Sequence, residues 1–104
     1  MLRCKDNSIY TGITINLEKR MQEHFSKSER CAKYTAVHNA KKLEAVWKTE
    51  NRVLASKLEY RIKKLTKMQK ENLIKNNENF VKFLDNKILC DKYGREDIST
   101  FKLT

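Results

Sequence analysis

The spacing of apolar positions changes at Asn16. Before it, "MLRC" and "SIYTGIT" are short β-favouring stretches separated by Lys5-Asp6-Asn7. Asp and Asn suit a tight hairpin turn because they tolerate left-handed backbone angles. After it, Leu17, Met21 and Phe25 recur every four residues, the stripe that a helix buries. Asn16 reads as its N-cap, with Glu18 in the first turn, and the helix is expected to fade near Lys27-Ser28. Residues 29–42 show no strong period and read as a loop with some local structure. "KLEAVWKT" alternates as a strand does, with Leu43, Ala45 and Trp47 on the face expected to be buried. Asn51 can cap a second long helix, in which Leu54, Leu58, Ile62 and Leu65 keep a 3.6-residue period. Thr66 and Gln69 form a capping-box pattern that restarts the chain as a shorter helix through Leu73-Ile74. "FVKFL" reads as a helical turn, and "ISTFKLT" as an edge strand or a loose tail.

The order β-β-α-β-α-α describes an α/β (α+β) fold: a small central three-stranded sheet flanked by helices. Residues 1–75 form the expected domain, and 76–104 a C-terminal extension with a short helix and tail.

Charge changes the picture more than size does. Residues 1–75 hold 18 Lys/Arg against 8 Asp/Glu, whereas residues 76–104 hold 5 against 5, so the whole net charge of +10 belongs to the first part. Such a field attracts polyanions, of which nucleic acid is the commonest. With no proline and two glycines, a glycine-rich phosphate loop is excluded. The three cysteines, Cys4, Cys31 and Cys90, form no C-x-x-C, so reduced thiols are expected rather than a disulfide framework or zinc knuckle. Cys4 reads as a buried strand residue. "MLRCKDNSIY" lacks the apolar core of a signal peptide, and no apolar run approaches the roughly 20 residues that span a bilayer. A cytoplasmic protein without membrane attachment is expected.

The candidate chemistry sits at the rim of the helical stripes. Arg20 and His24 lie one turn apart beside Leu17 and Met21, where side chains at i and i+4 meet. The preceding strand delivers Tyr10 nearby. Glu59 flanks the Leu58/Ile62 stripe among Lys57, Arg61, Lys63 and Lys64. Taken alone, these also read as a solvent-facing arginine, a rim histidine and an acid that balances a basic helix. Lys63, Lys64, Lys67 and Lys70 can contact phosphates without reading bases.

"YTG", "LEKRMQEH", "AKYT" and "LEYRIKKL", in this order, resemble the GIY-YIG nuclease superfamily, most closely its small stand-alone bacterial members. The resemblance covers about residues 1–75. Tyr10-Thr11-Gly12 matches the second half-motif, Arg20 and His24 the R-x-x-x-H helix motif, and Glu59 the acidic metal ligand. It implies a metal-dependent DNA endonuclease, structure-selective and acting in DNA repair or processing, with one Mg²⁺ or Mn²⁺ and no small-molecule cofactor. Arg20 would bind non-bridging phosphate oxygens through its fork of donors. Tyr10 would serve as general base or orient the water, and His24 would orient Tyr10 or shuttle a proton. Glu59 would hold the ion, with water and phosphate completing its shell.

Lys33, Tyr34 and Thr35 match a stretch of the small members and are expected on the substrate side. His38 reads as a lone loop histidine. The family's first half-motif ends in another tyrosine, and by the register of Leu2-Arg3-Cys4 that residue would directly precede Met1, which implies an incomplete site and a shortened first strand. Two other functions are therefore carried: a catalytically impaired, basic nucleic-acid-binding module, and a protein-interaction adaptor using "FVKFL" and the tail.

Overall fold

The computed structural model describes residues 1–26, 32–84 and 87–99. Two compact units arise: one from Met1–Glu44, rejoined by the chain at Ile98, and one from Ala45–Asp97.

In the first unit, β1 (Leu2–Cys4) and β2 (Ile9–Tyr10) form an antiparallel hairpin with Leu2 opposite Tyr10 and Arg3 opposite Ile9. Its turn uses the chemistry that Asp6 and Asn7 bring. Asn7 takes a left-handed φ of 71°, its N–H donates to the Cys4 carbonyl at 2.9 Å, and the Ser8 N–H donates to Asp6 Oδ1 at 3.1 Å. α1 (Leu17–Ser26) follows. Asn16 caps it as expected, with Oδ1 accepting from the Lys19 N–H at 3.1 Å. Met21 is buried; Leu17 and Phe25 are half-buried.

Two sequence expectations need correction here. Part of the stretch expected to be loop is regular: α2 spans Lys33–His38 and β3 spans Ala40–Leu43. α2 has no side-chain cap and no acid in its first turn, and Asn39 ends it at φ 61°. So short a helix shows no usable period, and its stability comes from tertiary packing instead. β3 pairs antiparallel with β1, giving the sheet order β2-β1-β3. A register shift between Arg3 and Cys4 leaves Lys41 unpaired between Lys42, opposite Arg3, and Ala40, opposite Cys4. A bulge of this kind interrupts the two-residue alternation, which is why "AKKL" does not read as a strand.

The second correction concerns "KLEAVWKT". It is not one strand: β3 stops at Leu43, and β4 (Trp47–Lys48) pairs with β5 (Gly94–Arg95) in a separate two-stranded sheet. Between them, the Glu44 N–H donates to the Met1 carbonyl, and its carboxylate accepts from Arg3 Nη2 at 2.9 Å with both side chains about nine-tenths buried. Met1, Leu2, Cys4, Ile9 and Met21 make the apolar core of this unit, joined by the buried polar side chains Thr11, His24 and Thr35.

The second unit holds α3 (Arg52–Lys63), α4 (Lys67–Lys75) and α5 (Glu78–Leu84). Asn51 caps α3, and Thr66 with Gln69 closes a reciprocal capping box on α4, both as the sequence predicts. Leu58, Ile62, Leu73, Phe80 and Leu84 are buried here with Ala45. Trp47 is half-buried rather than buried. Its indole N–H donates to Asn77 Oδ1 at 2.9 Å, its ring lies 5.5 Å from that of Phe80, and the Arg95 guanidinium stands 4.9 Å over it. Arg95 also donates to the Leu73 and Ile74 carbonyls at 3.1 and 3.0 Å. A cation at a helix C-terminus satisfies carbonyls that have no intrahelical partner and meets the dipole favourably. The residues after α5 are therefore built into this unit through a 3-10 turn at Cys90–Lys92 and β5. The expected edge strand "ISTFKLT" lies outside the described residues from position 100 onward. Cys31 lies outside them too; Cys4 is a free thiol. Among the described residues, no helix is long and apolar enough to cross a membrane.

Candidate active site

In the first unit the hairpin and both helices bring aromatic and imidazole rings together. Tyr10, on β2, lies with its ring 5.3 Å from that of His24 on α1 and 5.8 Å from that of Tyr34 on α2. Tyr34 stacks in turn on His38 at 4.1 Å, and His38 Nδ1 hydrogen-bonds Asp6 Oδ2 in the hairpin turn. The Tyr10 ring folds back across Gly12: a Cβ there would stand 2.8 Å from Tyr10 Cε2 and Oη. That close approach is the physical reason for a glycine two residues after the tyrosine.

His24 is 2 % exposed and Thr35 fully buried. They meet at 2.7 Å through His24 Nδ1 and Thr35 Oγ1, and the Thr35 hydroxyl donates to the Ala32 carbonyl at 3.1 Å. Burial pushes His24 down to about 4, with the Arg20 guanidinium adding to the effect and Glu23 opposing it. The imidazole is therefore neutral at pH 7. Arg20, half-buried, donates from Nη1 to Glu23 Oε1 at 3.1 Å. Asp6 is drawn down to about 2, chiefly by the Ser8 hydroxyl and then by His38.

The second unit carries the remaining candidates. Glu59 is half-buried on α3, with its Oε2 3.7 Å from Lys63 Nζ. Lys67 is 3.6 Å from Glu71. Lys64 Nζ stands 4.9 Å over the ring of Tyr60, and the Arg61 guanidinium 5.3 Å from it. Tyr60 itself is 54 % exposed. Burial, together with the charges of Lys67 and Lys63, holds Lys70 below the usual lysine range. On this face Lys63 and Lys67 act against the charge on Lys70 while each lies near a carboxylate of its own helix.

Among the described residues no three His, Cys, Asp or Glu side chains cluster as a metal cage. That donor set does not fit a structural zinc site, which takes four protein ligands. A single half-buried carboxylate, Glu59, does fit an ion such as Mg²⁺, which keeps several waters and borrows substrate phosphates.

The structure thus gathers Tyr10, His24 and Tyr34 in the first unit, sets Arg20 one turn before His24, and leaves Lys33 exposed on α2. Glu59, Lys63, Lys64 and Lys67 belong to the second unit. Thr35, expected on the substrate side, is instead turned fully inward. His38 is no loop histidine: it ends α2, stacked on Tyr34 and bonded to Asp6. The His24–Thr35 contact spans eleven residues, and no periodicity signals it because α2 itself is illegible.

Residues 1–72 match the family described as the GIY-YIG catalytic domain. The chain is similar to UPF0213 protein FN1575 of Fusobacterium nucleatum, with 44 % identity over 86 residues, covering 83 % of this chain and 84 % of that one. It is 40 % identical over 86 residues to UPF0213 protein YhbQ of Escherichia coli K12, covering 81 % and 82 %. It is 48 % identical over 75 residues to UPF0213 protein CPE1444 of Clostridium perfringens, covering 71 % and 77 %. No solved structure matches it.

Proposed function

We propose that this chain, which belongs to the GIY-YIG family of nucleases, is a divalent-metal-dependent endonuclease that hydrolyses DNA phosphodiester bonds. Family membership supplies the reaction class, because GIY-YIG nucleases act on DNA. The observation that carries the assignment to particular residues is the packing of a buried, neutral imidazole, His24, against the Tyr10 ring one helical turn from Arg20.

Arg20 holds the non-bridging oxygens of the scissile phosphate, where negative charge grows in the transition state. The Tyr10 hydroxyl holds the attacking water and takes its proton; neutral His24 accepts a hydrogen bond or a proton from that hydroxyl. Gly12 leaves the space in which the phenol lies. Glu59 is the residue that holds Mg²⁺ or Mn²⁺. When bound, the ion supplies Lewis-acid charge to the phosphate and to the leaving oxygen. Lys33 and Tyr34 on α2, and Lys63, Lys64 and Lys67 in the second unit, contact the DNA backbone. These are phosphate contacts, so binding is steeply salt-dependent and nearly sequence-independent. The surroundings in which we place this reaction are cytoplasmic, in DNA repair or processing.

The test is cleavage by the purified protein on nicked, flapped, branched and plain duplex DNA, each with Mg²⁺, with Mn²⁺ and with a chelator. Ion-dependent cutting, faster on at least one interrupted or branched substrate, is expected. Salt-sensitive binding with no cutting of any substrate returns the chain to a nucleic-acid-binding module. Absence of DNA binding leaves the adaptor reading.

A further inference from the structure

Thr35 stands fully buried beside a buried histidine, and the catalytic reading gives it no task. A threonine hydroxyl carries one proton and two acceptor lone pairs. The Thr35 proton goes to the Ala32 carbonyl at 3.1 Å, an oxygen that has a second lone pair for the Ala36 N–H at 3.0 Å. A carbonyl only accepts, so the direction of that bond is fixed. With that proton given to Ala32, Thr35 Oγ1 can only accept towards His24, and the 2.7 Å contact then requires a proton on His24 Nδ1. A neutral imidazole protonated at Nδ1 has its lone pair on Nε2.

We propose that Thr35 is a positioning residue: by accepting from His24 Nδ1–H across the α1–α2 contact, it fixes the imidazole in the tautomer whose basic nitrogen is Nε2. The α2 backbone supplies the anchor, through the Ala32 carbonyl, and both partners are excluded from water, which keeps the chain of two hydrogen bonds from exchanging with solvent. The other groups acting on the ring are Arg20 and Glu23 on its own helix, the N-terminal ammonium of Met1, and Tyr10 from β2. The catalytic use of this tautomer rests on the nuclease reading: Nε2 is the nitrogen that receives from Tyr10. The tautomer itself does not rest on it.

The experiment has two arms, so the two claims fail separately. In the first, long-range proton–nitrogen correlation spectra of the ¹⁵N-histidine-labelled full chain at pH 7 identify the protonated nitrogen of His24, assigned by its loss in His24→Gln. A pyrrole-type Nδ1 and a pyridine-type Nε2 are expected. Thr35→Val keeps the shape and removes the acceptor, and should give a mixture of tautomers; Thr35→Ser should restore the wild-type spectrum. In the second arm, single-turnover DNA cleavage should fall at least tenfold in Thr35→Val, with DNA affinity little changed, and recover in Thr35→Ser. A wild-type spectrum with the proton on Nε2 overturns the proposal, whether or not the variants fold. So does a Thr35→Val protein with the wild-type tautomer. The expected spectra without DNA cleavage by wild type support the positioning and count against the nuclease reading alone.

Discussion

The two units of this chain hold their polar groups in opposite ways. In Met1–Glu44 the group around Tyr10 is withdrawn from water: His24 and Thr35 are buried, Tyr10 half-buried, and each is held by another ring or by a hydrogen bond. In Ala45–Asp97 the informative side chains are exposed lysines around Tyr60, with Glu59 as the one acid of α3. Desolvated groups are costly unless paired, and once paired they have one geometry. Solvated lysines cost little, keep their freedom, and attract phosphates at a distance. The first arrangement suits bond-breaking; the second suits gathering a polyanion. Each prediction below breaks one side of that contrast.

The largest effect is expected in the second unit, at its exception. Glu59→Gln keeps size and removes the charge proposed to hold the ion. Cleavage should fall by roughly 10³-fold or more, a loss of the size seen when a transition-state electrostatic group is removed. DNA affinity should be equal or higher, because a negative charge among the lysines is gone. Wild-type cleavage by Glu59→Gln, measured over the same ion titration, removes Glu59 from the mechanism.

The next effect belongs to the first unit and needs no DNA. His24 is held down to about 4 in the folded protein, against 6.5 for the free group. Between these values the unfolded chain binds a proton that the folded chain does not, so stability is full above 6.5 and falls as pH drops towards 4. At about 1.4 kcal/mol per unit the loss approaches ~3 kcal/mol. Asp6, lowered from 3.8 to about 2, adds to the loss only below 3.8, so the two windows are separate. Urea unfolding from pH 7 to pH 4 should show the decline, and His24→Gln should lose most of that slope. A flat profile in the wild type contradicts a buried neutral imidazole.

Much of this was legible in the sequence, and the gaps have causes. The Asp6-Asn7 turn, the Asn16 and Asn51 caps, the Thr66/Gln69 box and the Leu58/Ile62 stripe are local signals, and all five stand in the structure. α2 was not legible, because six residues without a cap or a first-turn acid carry no period. β3 is hidden by the extra residue at Lys41, and Trp47 reads as part of the preceding strand because its true partner, Arg95, lies far along the chain. The candidate residues came from motif order rather than from geometry. What the sequence could not provide was their environment: the depression of His24, the stacking of Tyr34 between Tyr10 and His38, and the hydroxyl that orients the imidazole.

The smallest effect should come from the solvated side of the contrast. Lys64→Ala removes one exposed cation without disturbing buried groups. Affinity for duplex DNA should drop several-fold at low salt, and the slope of log affinity against log salt should shrink by about 0.9, the value of one phosphate contact. An unchanged slope takes Lys64 off the interface.

The central claim is that the Tyr10–His24 pair carries the chemistry, and Tyr10→Phe tests it most directly. The substitution keeps the ring that packs on His24 and Tyr34 and takes away only the hydroxyl. Single-turnover cleavage at saturating protein with Mg²⁺ or Mn²⁺, beside binding measured on the same DNA, should show affinity retained and the rate reduced by about 10²–10⁴-fold, the range of a lost general base. Cleavage by Tyr10→Phe at the wild-type rate would contradict the account.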